Sequence, residues 1–334
     1  MSAAAKAYKY FTTDVFSSRV FGGNPLAVVL DADDLDSATM QKIAREFNYS
    51  ETTFILKAKH AAGESGPPRF QVRIFTPERE LPFAGHPTLG TAAVLAHCGR
   101  ATHEANPNPK GAQPVDIILE EGVGNVPVTI EARYPHGDAV YSARLKAARP
   151  IQFGPTPPPD REALARILSL DPEDIGAVDA RGHEYIPRAA STGIPSLNVP
   201  VKNRTVLGRA RVRLDLWERD LKDTWAPDPY LFTFDAEDPQ SQIRARKFAL
   251  TAGIGEDPAT GSAATTLAGY LAESVPAVRD AVDGSFDWRI EQGYEMGRPS
   301  ILHARAVKAD GTVRSLGVGG DSIIVCEGLL RLPG

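Results

Sequence analysis

Cysteine is nearly missing from this chain: only Cys98 and Cys326 occur among 334 residues, far apart in sequence. So sparse a supply excludes a disulfide framework and fits a reducing, cytoplasmic setting. No run of 18 apolar residues occurs, so no segment reads as membrane-spanning. The first residues, MSAAAKAYKYF, lack the apolar stretch of a secretion signal. A basic tract is missing too. The cations between Lys202 and Lys222 are interleaved with acids from Asp215 onward, which suits a solvated face, not a nucleic-acid footprint. There is no G-x-G-x-x-G after a strand, no H-E-x-x-H and no G-x-S-x-G. Gly255–Ser262 has a P-loop flavour, but no lysine follows its glycine and two acids would face the phosphates. His97, Cys98 and His103 lack a fourth ligand nearby, so no metal is expected, and His97 and Cys98 read as a helix-face histidine and a buried thiol. What is present is globular: 42% hydrophobic and 24% charged, net charge −5, at a length that suits two domains.

One phrase occurs twice. Residues 86–93 read His-Pro-Thr-Leu-Gly-Thr-Ala-Ala and residues 257–264 read Asp-Pro-Ala-Thr-Gly-Ser-Ala-Ala, 171 residues apart. Gly23-Asn24-Pro25 and Gly193-Ile194-Pro195 repeat at nearly the same offset, 170. Two copies of one architecture are expected, with a crossing in the proline-rich stretch 149–160 and domains of 1–135 and 136–320. Strands are expected at 8–16, 26–30, 52–56, 69–75, 115–119, 126–133 and 140–145, and again at 183–188, 196–201, 230–235 and 242–249. Helices are expected at 36–47, 87–97, 161–168, 215–223 and 258–273, with Asp36 and Asp160 as caps. Residues 101–114 have loop composition. Short strands with one long helix in each half make an α+β protein.

In each copy of the phrase, an ionisable residue precedes proline, which is pre-organised for the first helical position. A helix starting there offers free backbone N–H groups and the positive end of its dipole, an anion site. The small residues Gly90, Thr91 and Ala92, and Gly261, Ser262 and Ala263, would let a ligand approach the backbone. From one copy alone, Asp257 reads as a plain N-cap and Gly261 as a packing residue. The repetition favours two helix starts converging on one cleft between domains. Glu51, in Asn48-Tyr49-Ser50-Glu51-Thr52-Thr53, sits where a helix gives way to a strand. By itself it reads first as a solvated strand-edge charge. In a cleft, desolvation would raise its pKa and suit it to acid/base work near neutrality.

Several blocks together resemble the PhzF (phenazine biosynthesis-like) family. They are Gly22–Val29, Asn48–Phe54, Arg73–Pro77, Leu81–Ala92, Gly255–Ala264 and Gln292–Ser300. The resemblance runs from about residue 8 to the C-terminus. It implies the diaminopimelate-epimerase-like fold: two similar domains, pseudo-twofold related, each a barrel-like, mostly antiparallel sheet around a central helix. The last strand, near 321–334, would return to the first domain. It further implies that Glu51 is the acid/base, that His86, Asp257 and Ser262 line the pocket, and that Asn24, Ser50, Gly85 and Gly261 contact substrate. The implied activity is a cofactor-independent isomerase that moves a proton between carbons of a small carboxylate, cyclic or amino-acid-like; homodimers are common in the family. Epimerase relatives place a cysteine at the head of each central helix, where this chain has His86 and Asp257. A two-thiol racemase is therefore not expected. The rivals are an epimerase using carboxyl and His bases, and a non-catalytic metabolite-binding protein. Leu250, where a proline commonly follows Phe-Ala, and the 101–114 loop depart from the family wording.

Overall fold

The computed structural model describes residues 6–59, 66–101, 113–134, 139–179 and 181–332. Most of the 101–114 loop, with His103, lies outside them. The chain separates into two compact units, residues 1–145 with 319–334, and residues 146–318. The first boundary falls at 145, not at the expected 135, because the strand at 140–146 pairs backward: Val128 lies opposite Leu145.

The first unit contains β1 (Lys6–Val15), β2 (Asn24–Val29), α1 (Ser37–Phe47), β3 (Glu51–Lys57), β4 (Arg69–Phe75), β5 (Glu80–Leu81), α2 (Gly85–His97), β6 (Val115–Glu121), β7 (Gly124–Arg133) and β8 (Val140–Lys146). The second contains β9 (Gln152–Phe153), α3 (Arg161–Leu168), β10 (Ala177–Val178), β11 (Glu184–Tyr185), β12 (Arg188–Ser191), β13 (Pro195–Pro200), α4 (Arg204–Arg209), α5 (Leu214–Asp220), β14 (Pro229–Thr233), β15 (Ile243–Ala249), β16 (Ile254–Asp257), α6 (Gly261–Ser274), α7 (Pro276–Arg279), β17 (Gly284–Gln292) and β18 (Ser300–Ala309). The last strand, β19 (Thr312–Leu332), runs from the second unit's residues into the first's.

In the first unit the pairing closes on itself. β1 pairs β2, β2 runs parallel to β3, β3 pairs β4, β4 runs parallel to β6, and β6, β7 and β8 form a meander. β8 then meets β19, which pairs back onto β1. The result is an eight-stranded barrel with no free edge among these strands. Its axis is filled by α2, whose residues from Gly85 to Leu95 are all buried. A helix that apolar on every side is a core helix. The second unit repeats the sheet logic: β13 runs parallel to β14 and β15 to β17, with antiparallel neighbours β12, β16 and β18. α6 is its buried central helix.

The helix caps expected from sequence are present where the helix start is exposed. Asp36 accepts from the Thr39 N–H and Asp160 from the Ala163 N–H. The prolines of the repeated phrase behave otherwise. Pro87 is the third residue of α2, and Pro258 precedes α6 altogether, in a turn that ends at the N-cap Thr260. Asp257 is the last residue of β16 and not a cap. Gly90 also serves a different end from the one expected. A Cβ there would lie 2.6 Å from Val15 Cγ2 and 2.7 Å from Leu26 Cδ2, so the glycine lets α2 settle against β1 and β2. Thr91 and Ala92 are likewise core residues, Thr91 sharing a 2.8 Å hydrogen bond with Thr53.

Candidate active site

Glu51 owes its position to the end of α1. Asn48 takes a left-handed conformation and returns its N–H to Ala44, which stops the helix and turns the chain into β3. Glu51 opens that strand beside Leu26 of β2 and is only 9% exposed. A solvated strand-edge charge is thereby ruled out.

His86 stands in the first turn of α2, and its Nε2 lies 3.3 Å from Glu51 Oε2. Asn24, the first residue of β2, is fully buried and places its Nδ2 3.3 Å from His86 Nδ1. As that amide is oriented, Nδ1 accepts and the ring proton resides on Nε2, which lies close to the Glu51 carboxyl without a hydrogen bond between them. Burial drives the His86 pKa down to about 3, so the ring is neutral at physiological pH. The pair is therefore a carboxyl group against a neutral imidazole, and not an ion pair between full charges. Gly85 is buried as the first residue of α2, while Ser50 is half-buried just ahead of Glu51. Asn24, Glu51, Gly85 and His86 are thus gathered at one end of the α2 barrel.

Neither α2 nor α6 has a side chain capping its first N–H groups. Ala84, the residue before α2, has no polar side chain to offer. Helix starts left in that state suit an anion.

The start of α6 is held by residues to which sequence reasoning gave no role. Gln292, fully buried at the end of β17, donates to Asp257 O at 2.8 Å and to Thr260 Oγ1 at 3.1 Å. Its Oε1 accepts from the Thr260 N–H and the Tyr230 hydroxyl, each at 3.2 Å. Both donors and both lone pairs of the amide are used. The Thr260 hydroxyl in turn donates to the Asp257 carboxylate. Asp257 is 7% exposed, Gly261 is buried and Ser262 is half-buried one residue into the helix. Across the ladder from Asp257 is Lys247, whose Nζ donates to Ser196 Oγ and Asp228 O, both at 2.9 Å. Burial lowers the Lys247 pKa to about 8, against the opposing pull of Asp228 and Asp257. Gln292 carried one signal in the sequence, its place in the Gln292–Ser300 block, but nothing there spoke of Asp257.

On the other side of β16, where Glu256 points, a hollow of about 420 Å³ is lined by Arg211, Arg246, Phe248, Leu250 and Glu295. Arg246 is already engaged by Glu256, at 2.8 Å on two nitrogens, and by the carbonyls of Leu207, Gly208 and Ala210. Its guanidinium is structural. Cys98 caps the far end of α2 and is half-exposed, not buried, and Cys326 is exposed on β19. His97 contacts the Tyr141 hydroxyl at 3.0 Å. Among the described residues no group of three or more His, Cys, Asp or Glu is placed to hold a metal, and no helix is long and apolar enough to cross a membrane.

The comparisons with known proteins agree with this architecture. An uncharacterized isomerase of Mesorhizobium japonicum is 35% identical, over 96% of this chain and 98% of its own. The trans-2,3-dihydro-3-hydroxyanthranilate isomerase of Pseudomonas aeruginosa is 32% identical, over 96% of this chain and 98% of its own. A solved structure from Pseudomonas aeruginosa, described as a predicted epimerase, superposes with a TM-score of 0.71 at 34% identity, covering 97% of this chain and 99% of that one. The family model for phenazine biosynthesis-like proteins, PhzC-PhzF, matches residues 13–328, and the chain belongs to that family.

Proposed function

We propose that this protein is an isomerase that moves a proton between carbons of a small carboxylate-bearing substrate, with Glu51 as the acid/base. The observation that carries the reading is the buried Glu51 carboxyl 3.3 Å from a neutral, equally buried His86. Carbon-to-carbon proton transfer needs one group that can take a proton and return it, shielded from bulk water. A buried carboxyl beside an uncharged imidazole meets that need. His86 packs beside the carboxyl and adds no competing positive charge. The N–H groups at the uncapped start of α2 would hold the substrate carboxylate. Asp257 and Ser262 are assigned to orienting the substrate, as are Asn24 and the backbone of Gly85 and Gly261, with Ser50 beside Glu51.

The name of the Pseudomonas aeruginosa relative points to cyclic amino-hydroxy carboxylates as the class to test first. The experiment is proton NMR in D₂O with a panel of such compounds, including trans-2,3-dihydro-3-hydroxyanthranilate, on wild type and Glu51→Gln. Deuterium appearing at a carbon other than the one deprotonated, and only with wild type, supports allylic transfer. Full exchange by Glu51→Gln overturns the role of Glu51. The similarity to a structure described as a predicted epimerase keeps a second reading open. Deuterium at one stereocentre with inversion is its signature. Neither cysteine stands at a helix head, so such an epimerase would use carboxyl and imidazole bases.

A further inference from the structure

The first turn of α2 touches a second buried carboxyl group, on β6. Glu121 ends that strand, is 8% exposed, and brings its Oε1 to 2.7 Å from Thr88 Oγ1. The same hydroxyl oxygen lies 2.7 Å from the carbonyl of Ala84, the residue that precedes α2. A threonine hydroxyl has one hydrogen, and a carbonyl can only accept. If Thr88 donates to Ala84, as helical threonines do, an ionised Glu121 would leave two bare oxygens 2.7 Å apart. A protonated Glu121 resolves the conflict by donating to Thr88. Its other oxygen, Oε2, is buried with no hydrogen-bond partner among the described residues, a poor place for a negative charge.

Among the described residues no cation is paired with that charge. On β6, Asp116 bonds Thr129, while Glu120 is turned to the Lys59 N–H and Arg69. On β7, Arg133 is committed to Asp321 and Ser142, and Glu131 is the strand's acid. On α2 the titratable groups are His86, which faces Glu51, and His97, which faces Tyr141. Burial pushes the Glu121 pKa up to about 8, offset only in part by the Thr88 hydroxyl. The hairpin that follows Glu121 holds the segment leading into α2: Val123 N–H bonds Pro82 O at 3.1 Å, and Gly122 is so close to Pro82 that a Cβ would meet its Cα at 2.7 Å.

We propose that Glu121 is a protonated carboxylic acid at neutral pH that donates to Thr88 and positions the α2 turn carrying His86. It is a positioning residue, acting on the Glu51–His86 contact through the helix start. Its importance for turnover rests on the function proposed above; its protonation and its hold on His86 do not. Above its pKa the carboxylate loses its hydrogen, the Thr88 bond must reverse, and the turn loosens.

The test needs no substrate. Infrared spectra of the full chain would show the carbonyl stretch of a protonated carboxyl at pH 7, lost in Glu121→Gln and fading in wild type above pH 8. The His86 ring resonances, assigned by their loss in His86→Gln, would step near pH 8 in wild type. In Glu121→Gln, whose amide supplies the same neutral donor, they would keep the wild-type position and show no step. In Glu121→Leu, which fills the space without a donor, they would be displaced at every pH. Stability supplies an independent reading. A pKa raised from 4.5 to about 8 stabilises the fold below pH 4.5, and that advantage is lost as pH rises through 8. Glu121→Gln should therefore gain on wild type steadily across that window. No protonated band at pH 7, a His86 step that persists in Glu121→Gln, or a stability gap independent of pH would each overturn the proposal. If these hold while no compound in the substrate panel turns over, it is the functional reading that fails.

Discussion

α2 and α6 each carry one copy of the repeated phrase at or just ahead of their starts, yet their surroundings are built from different chemistry. Around the α2 start the buried polar groups are few, and two of them, His86 and Glu121, have their pKa values driven by burial toward the neutral form. Around the α6 start one amide, Gln292, meets four partners, and Asp257 is fixed by Thr260 with the Lys247 ammonium on the neighbouring strand. The first arrangement leaves groups whose protonation can change. The second is tied down by hydrogen bonds, and even Lys247, whose pKa burial lowers to about 8, is held by Ser196 and Asp228. A repeated sequence phrase thus specifies a helix inside a barrel-like sheet, and the residues around each copy decide whether that start holds a proton or holds a shape.

The difference can be pressed by substitution. Glu51→Gln should cost about 10²- to 10⁴-fold in turnover with an unchanged melting curve, measured by exchange NMR and thermal denaturation. Gln292→Ala should do the reverse in kind, destabilising the fold by about 3 kcal/mol or more in urea denaturation, because three buried groups lose their partners at once. If Gln292→Ala melted like wild type, the α6 start would not be the scaffold described here. Acid should find the α2 start first. With the His86 pKa at about 3 when folded and 6.5 ordinarily, the folded state binds fewer protons, so its contribution to stability is complete above pH 6.5 and lost as pH falls toward 3. Denaturation midpoints from pH 7 to 4 should fall more steeply for wild type than for His86→Gln. The smallest effect is a control on an ordinary helix start: Asp36→Ala should cost about 1 kcal/mol and leave exchange chemistry untouched.

Much of this was legible in the chain. α1 and α3 declare themselves by an aspartate cap and by apolar residues at helical spacing, because those signals are local. The barrel strands show as β-branched runs, and the short β9 and β10 do not, since two residues become a strand only through their partners, β12 and β11. Glu51 and His86 were named by motif, but their 3.3 Å contact depends on the parallel pairing of β2 with β3 around α1. The errors share one cause. Gly90 looked like room for a ligand because Val15 and Leu26, which fill that room, are more than sixty residues away in sequence. Pro258 looked like a helix start because nothing local reveals that Gln292 and Ser300 hold residues 257–260 in a turn. Nothing in the sequence singled out Glu121, because the Thr88 hydroxyl it meets lies 33 residues away.

The long final strand has a consequence for synthesis. Residues 322–332 of β19 pair with β1 along nearly its whole length, so the barrel around α2 cannot close until those residues have left the ribosome. Residues 146–318, by contrast, form their compact unit from one uninterrupted segment and can mature earlier. A chain cut short ahead of residue 322 would therefore injure the unit whose other residues precede 146, and not the unit nearer the cut. The barrel that shelters Glu51 is begun before the second unit and closed after it.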